Sequence, residues 1–155
     1  MAKGKKATVA DAELMMKLYD LRRETELRNA RKFVIFQFQP KSADDVIKLS
    51  QAMGTQENSW LRQCTSYWEN AASLLLHGVV NPELFFEWNG EMVFLYAKFQ
   101  PFLKEVREKT GFPNVMARME KAVNSSPEMK KQVQMIQQRM AQAAAAKPQA
   151  AAARA

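Results

Sequence analysis

Attack by a thiol needs a base to take its proton, and this chain offers one cysteine, Cys64, and one histidine, His77. They sit 13 residues apart on what reads as one helix, on different faces, so they form no dyad within it. Cys64 falls near the middle of an apolar stripe, the place of an inert small hydrophobe. His77 precedes Gly78, and a histidine in the last turn followed by glycine is a helix-closing signature. One Cys and one His cannot supply a standard structural zinc site. Asp44 with Asp45, and Glu83 with Glu87 at i,i+4, are the candidate pairs for a purely carboxylate metal site, while nothing among the acids singles out two for splitting a glycosidic bond. Both pairs fall in the first turn or so of a helix, where acids already complement the macrodipole. Gly4, Gly54, Gly78, Gly90 and Gly111 are isolated from one another, which removes the phosphate-cradling fingerprints. No catalytic, cofactor-binding or metal-binding set is therefore predicted, and the chain reads as non-enzymatic.

Charge points the same way. The net charge of +7 suggests an anionic partner, but residues 8–124 hold 15 basic and 15 acidic side chains. The excess sits at the ends, on Lys3, Lys5 and Lys6 and on Lys130, Lys131, Arg139, Lys147 and Arg154. Contact with nucleic acid or an anionic membrane is thus expected only through the tails, weakly and in a salt-sensitive way. No apolar run approaches the length of a membrane span, and Met1–Met16 is charged and lacks the apolar core of a signal peptide. The cytoplasm is the expected compartment, and a lone cysteine fits it.

The elements that must position these residues read as helices. Leu14, Leu18, Leu21 and Thr25 fall on one stripe of a helical wheel. Leu27, Ala30, Val34 and Phe38 cluster on the other side, so the stretch from Asp11 to Gln39 is either two helices parted near Glu24–Glu26 or one long helix with two sets of partners. Phe33–Phe38 is β-prone, with a short strand as the alternative reading, and Pro40 ends the element. Ser42 with Asp45 resembles a capping box, and Gly54 closes the short helix that follows. After Thr55, a plausible N-cap, the residues Trp60, Leu61, Cys64, Tyr67, Trp68, Ala71, Leu74 and Leu75 share an arc of about 140°. Arg62, Thr65, Ser66, Glu69 and Ser73 fall opposite. Asn81-Pro82-Glu83 and Ser126-Pro127-Glu128 are cap, proline and acid in helix-starting order, and Asn89-Gly90 is a turn dipeptide. Met92, Leu95, Tyr96, Phe99, Phe102, Leu103 and Val106 form a second stripe, with Pro101 opposite it. Thr110-Gly111 closes that helix, and Phe112-Pro113 is expected to start another.

Tyr67-Trp-Glu69, Leu75-Leu-His-Gly78, Pro82-Glu-Leu-Phe85, Pro101-Phe-Leu103 and Arg107 resemble a bacterial family of small all-helical domains of unknown function. Leu18-Tyr-Asp-Leu-Arg-Arg23 and Arg28-Asn-Ala-Arg31 are similar to that family's N-terminal part, so the likeness spans about two-thirds of the chain. It implies a small helical bundle and carries no catalytic residues with it.

The expected fold is all-α, a compact bundle of about five to seven helices of unequal length. Residues 1–10 are expected as a disordered basic tail, 11–124 as the bundle, 127–141 as an amphipathic C-terminal helix and 142–155 as a low-complexity Ala-rich tail. The Trp60–His77 and Glu91–Lys109 stretches are its expected central pair. Trp60, Tyr67, Trp68, Trp88, Phe94, Phe99 and Phe102 offer a base-stacking platform in principle, but most lie on the stripes that close a bundle. Val93 and Phe94 point off their own helix's stripe and must meet a second neighbour or stay exposed. With Met129, Val133, Ile136 and Met140 they are the candidate partner contacts, for an unknown protein or a second copy of the chain. The expected function is non-catalytic protein–protein interaction or scaffolding.

Overall fold

The structure, a computed structural model, describes residues 6–152, with side chains as far as residue 146. The described residues form eight α-helices and one π-helical turn, without strands: α1 Val9–Arg22, α2 Thr25–Lys32, the π turn Phe33–Gln37, α3 Ala43–Gln51, α4 Gln56–Leu76, α5 Pro82–Trp88, α6 Gly90–Thr110, α7 Ala117–Asn124 and α8 Pro127–Ala152. Eight exceeds the expected five to seven, because the breaks in the pattern end helices rather than bend them. None of these helices is long and apolar enough to cross a membrane.

Most of these ends are closed locally. α1 begins at Val9, inside the expected tail, because Thr8 and Asp11 form a reciprocal capping box. Residues 1–5 of that tail and 153–155 of the Ala-rich tail lie outside the described residues. The 142–152 part of the Ala-rich stretch continues α8, as the highest helix propensity allows. The phase break between α1 and α2 falls at Arg23–Glu24, where the Glu24 carboxylate accepts from Glu26 N at 3.0 Å and Leu27 N at 2.8 Å. Ser42, Thr55, Asn81 and Ser126 each accept a backbone N–H three residues on.

One alternative reading falls and one expectation changes. Phe33–Phe38 is not a strand: Phe33–Gln37 adds a π turn to α2. Nor does a helix start at Phe112-Pro113; α7 begins at Ala117, after Met116 in the left-handed region at φ 53°. That backbone is costly for a residue with a side chain, by about 1–2 kcal/mol. It is held from both sides. Arg107 donates to Val115 O from Nε at 3.1 Å and Nη2 at 2.8 Å, and Glu69 caps the helix that follows.

α4 packs most extensively on α2 and α7, and α6 on α8 and α3. The expected central pair is therefore central without being clasped. Side chains as large as Trp68 stand between α4 and α6, its Nε1 donating to Glu91 at 3.3 Å. Arg31 of α2 grips the same Glu91 carboxylate with two N–H groups and also donates to Arg22 O at 3.3 Å, joining the end of α1 to α2 and α6. Trp68, Phe85, Phe99, Met15, Met92 and Leu95 are the largest wholly enclosed side chains, so the apolar stripes are spent on the interior.

α8 lies on α6 and α7. Pro101 has no N–H, which leaves the Ala97 carbonyl without its partner inside α6. Gln137 of α8 supplies the missing donor at 3.0 Å from Nε2 to Ala97 O.

A groove as the candidate functional site

Where α4 and α6 diverge, a groove of about 890 Å³ opens between α3, α4, α6 and the segment leading into α7. Its floor is apolar: Leu61 of α4, with Phe99, Leu103 and Val106 of α6, present the edges of otherwise buried side chains. Val46 of α3 and Met116 extend that floor, and Phe112, 69% exposed, stands on the rim.

The polar wall is the part of α4 outside its apolar stripe. Ser59, Gln63, Thr65, Ser66 and Asn70 line it, together with Arg62 and Glu69. An ordinary solvated helix face carries long charged side chains. Here five of the seven are short or neutral. Thr65 Oγ1 donates to Leu61 O at 2.8 Å and Ser66 Oγ to Gln63 O at 3.2 Å, so both hydroxyls lie back along the helix.

Glu69 belongs to the wall but its charge is committed. Oε1 accepts from Met119 N at 2.8 Å and Oε2 from Arg118 N at 3.2 Å. The carboxylate therefore does for α7 what an N-cap side chain does, and α7 has no other side-chain cap. Arg118 leans toward the same carboxylate at 3.6 Å, with its side chain 57% exposed.

The reactive groups lie elsewhere and are engaged. Cys64 is fully buried, and burial pushes its thiol up to about 12. His77 caps the end of α4, its Nδ1 2.8 Å from Ser73 O, and Gly78 takes the left-handed φ of 68° after it. Asp44 pairs with Lys109 at 2.8 Å, while Asp45 caps α3. Among the described residues no three His, Cys, Asp or Glu side chains come together as a metal site would require.

One buried cation is unexpected from the sequence. Lys98 of α6 is 4% exposed, and its Nζ donates to Val34 O at 2.6 Å, to Ile35 O at 3.1 Å and to Phe38 O. It closes the end of the π turn, where the run of carbonyls favours a cation. Burial pushes the ammonium down to about 8. A small pocket of about 320 Å³ borders it, walled by Pro40, Pro101 and Met140.

The six candidate partner contacts do not meet in the groove. Val93 is wholly buried, having found the second neighbour its position demanded, and so presents nothing to a partner. Phe94 is half-buried. Val133 is buried, and Met129 and Ile136 pack against the same core, so α8 spends its stripe on its own domain. Met140 is half-buried beside Lys98. Trp60 is half-buried, with its ring 5.5 Å from that of Phe33, and Trp88 is 41% exposed on α5. The helical wheel sets α4's polar residues away from the apolar stripe and assigns them no further role. The shortage of long charged side chains among them is the signal that distinguishes the groove.

The family described as Domain of unknown function (DUF4760) matches residues 7–126. The match ends at the residue before α8 begins. No curated protein and no solved structure matches the chain.

Proposed function

The chain belongs to the DUF4760 family, and from its surface we propose that it is a non-catalytic interaction module that seats a segment of another protein in the groove beside α4. One observation carries this reading: an apolar floor lies beside a helix face built of Ser, Thr, Asn and Gln. Short polar side chains lose little rotamer freedom when a partner covers them; the Gln63 and Asn70 amides offer it donors and acceptors, and the Thr65 and Ser66 hydroxyls, which donate within the helix, offer acceptors. Lys and Glu on the same face would pay more to be ordered. The commitment of Cys64, His77 and Lys98 to burial or capping supports binding rather than turnover.

The test compares the full chain with Ser66→Trp, which fills the groove from an exposed position, and with Gln134→Trp, an equal insertion on the exposed side of α8. Cross-linking followed by mass spectrometry should find partner peptides joined to groove residues in the parent chain and in Gln134→Trp. Ser66→Trp should lose them. Cross-links indifferent to Ser66→Trp would refute the reading.

A further inference from the structure

We infer that the segment seated in the groove is an acidic amphipathic peptide whose apolar side chains enter the floor and whose carboxylates meet Arg62 and Arg118. The inference rests on the groove being the binding site. It is carried by the charge left over once the chain's own contacts are satisfied.

The groove is lined by three charged residues, Arg62, Glu69 and Arg118. Glu69 is the single acid, and both of its oxygens are taken by backbone N–H groups of α7. Its charge is balanced by the positive end of that helix, and its side chain is only 12% exposed. Arg118 touches it at 3.6 Å, beyond a good hydrogen bond, so its donors remain available. Arg62 is exposed and makes no ion pair among the described residues. An incoming ligand therefore meets two guanidiniums and no competing free carboxylate. Planar guanidinium donors match a carboxylate with two parallel hydrogen bonds.

Spacing narrows the ligand further. Arg62 stands seven residues before Glu69, or about 10 Å along α4, and Arg118 lies against Glu69. Carboxylates about seven residues apart on a helix, or about three apart on an extended chain, span that distance. Leu61, Leu103 and Val106 between them ask for aliphatic or aromatic anchors. A nucleic acid strand would need a longer track of cations and several exposed rings for its bases, whereas Phe112 is the one exposed aromatic of the lining.

The experiment selects peptides from a random displayed library against the full chain, then measures the best by fluorescence anisotropy. Its controls are Ser66→Trp, Arg62→Glu and the Arg62→Glu/Arg118→Glu pair. Arg62→Glu alone leaves every hydrogen bond described above in place, so it keeps the test valid if the pair loosens α7. Enriched peptides should combine apolar residues with acids at the stated spacing. Ser66→Trp should abolish binding, and Arg62→Glu should weaken it by about tenfold or more. Neutral or basic peptides that Ser66→Trp blocks and Arg62→Glu spares would overturn the acidic partner while the groove stands. Failure to enrich any peptide, or binding indifferent to Ser66→Trp, would remove the groove and the inference together. Displacement of the peptide by oligouridylate, at concentrations below those of the peptide itself, would give the groove to nucleic acid and overturn the inference.

Discussion

Lys98→Met tests whether a buried cation holds the π turn. The ammonium faces three carbonyls, those of Val34, Ile35 and Phe38, and a neutral amine has only two N–H groups to give them. Burial nonetheless favours the neutral form and moves the group from its ordinary 10.5 down to about 8. Between those two values the unfolded chain binds the proton that the folded chain has released. The cost of burying the charge is thus fully present below pH 8 and is lifted as pH climbs toward 10.5. At about 1.4 kcal/mol per pH unit the whole gap amounts to at most about 3 kcal/mol. Cys64, Tyr67 and Tyr96 run the other way, because burial raises each to about 12 and the unfolded chain ionises first. The parent chain's own pH curve mixes these opposed effects. The difference between parent and Lys98→Met removes what Tyr67 and Tyr96 contribute to both and reports the lysine together with its weaker coupling to the Cys64 thiol. Urea unfolding of both proteins from neutral pH to pH 10.5 should show that difference shifting in the parent's favour by up to about 3 kcal/mol, with little change below pH 8. A flat difference would place Lys98 in water. A shift against the parent would mean that the three carbonyls hold the proton more strongly than burial expels it, and either result refutes the reasoning.

Trp68→Ala should cost about 3–5 kcal/mol in unfolding free energy by opening a cavity between α4 and α6, and a near-parental melting temperature would contradict the enclosed position of this ring. Glu69→Ala should cost about 1–2 kcal/mol and speed amide exchange at Arg118 and Met119 before the middle of α4 is affected; unchanged exchange at those two amides would show that α7 needs no cap from α4. Gln137→Leu should cost about 1 kcal/mol by leaving the Ala97 carbonyl without a donor. Limited proteolysis should then cut α8 faster while the remaining helices resist, and equal cutting in parent and variant would deny Gln137 its role.

The helix boundaries that could be read from the sequence are those whose cause lies within about one turn. Ser42 with Asp45, Thr55, Asn81-Pro82 and Ser126-Pro127 each close a helix end with atoms three residues away, and such residue types have little else to do at such positions. The contacts that escaped detection reach across the chain. Glu69 caps a helix that starts nearly fifty residues later, Lys98 closes a π turn more than sixty residues earlier, and Gln137 satisfies the carbonyl that Pro101 leaves open at Ala97, forty residues before it. A glutamate on a polar face looks the same to a wheel whether it meets water or the N–H groups of another helix. The start of α7 was misplaced for this reason, since Pro113 carries a local starting signal and Glu69 carries none that is local.

The groove occupies the same blind spot and follows from the same geometry. α6 presents an apolar flank broad enough to receive α8 and α3, and α4 closes on α2 and α7 instead of on α6. Tight contact between α4 and α6 would need large apolar side chains where α4 has Ser59, Thr65 and Ser66. A fully solvated gap would favour long charged side chains along that face instead. The face satisfies neither demand, so packing inside the chain does not account for its composition. A face too polar to be core and too sparsely charged to be plain surface is what a surface needs if it is to be covered part of the time, and that composition is the ground on which we propose α4's polar side, rather than the apolar stripe of α8, as the docking face.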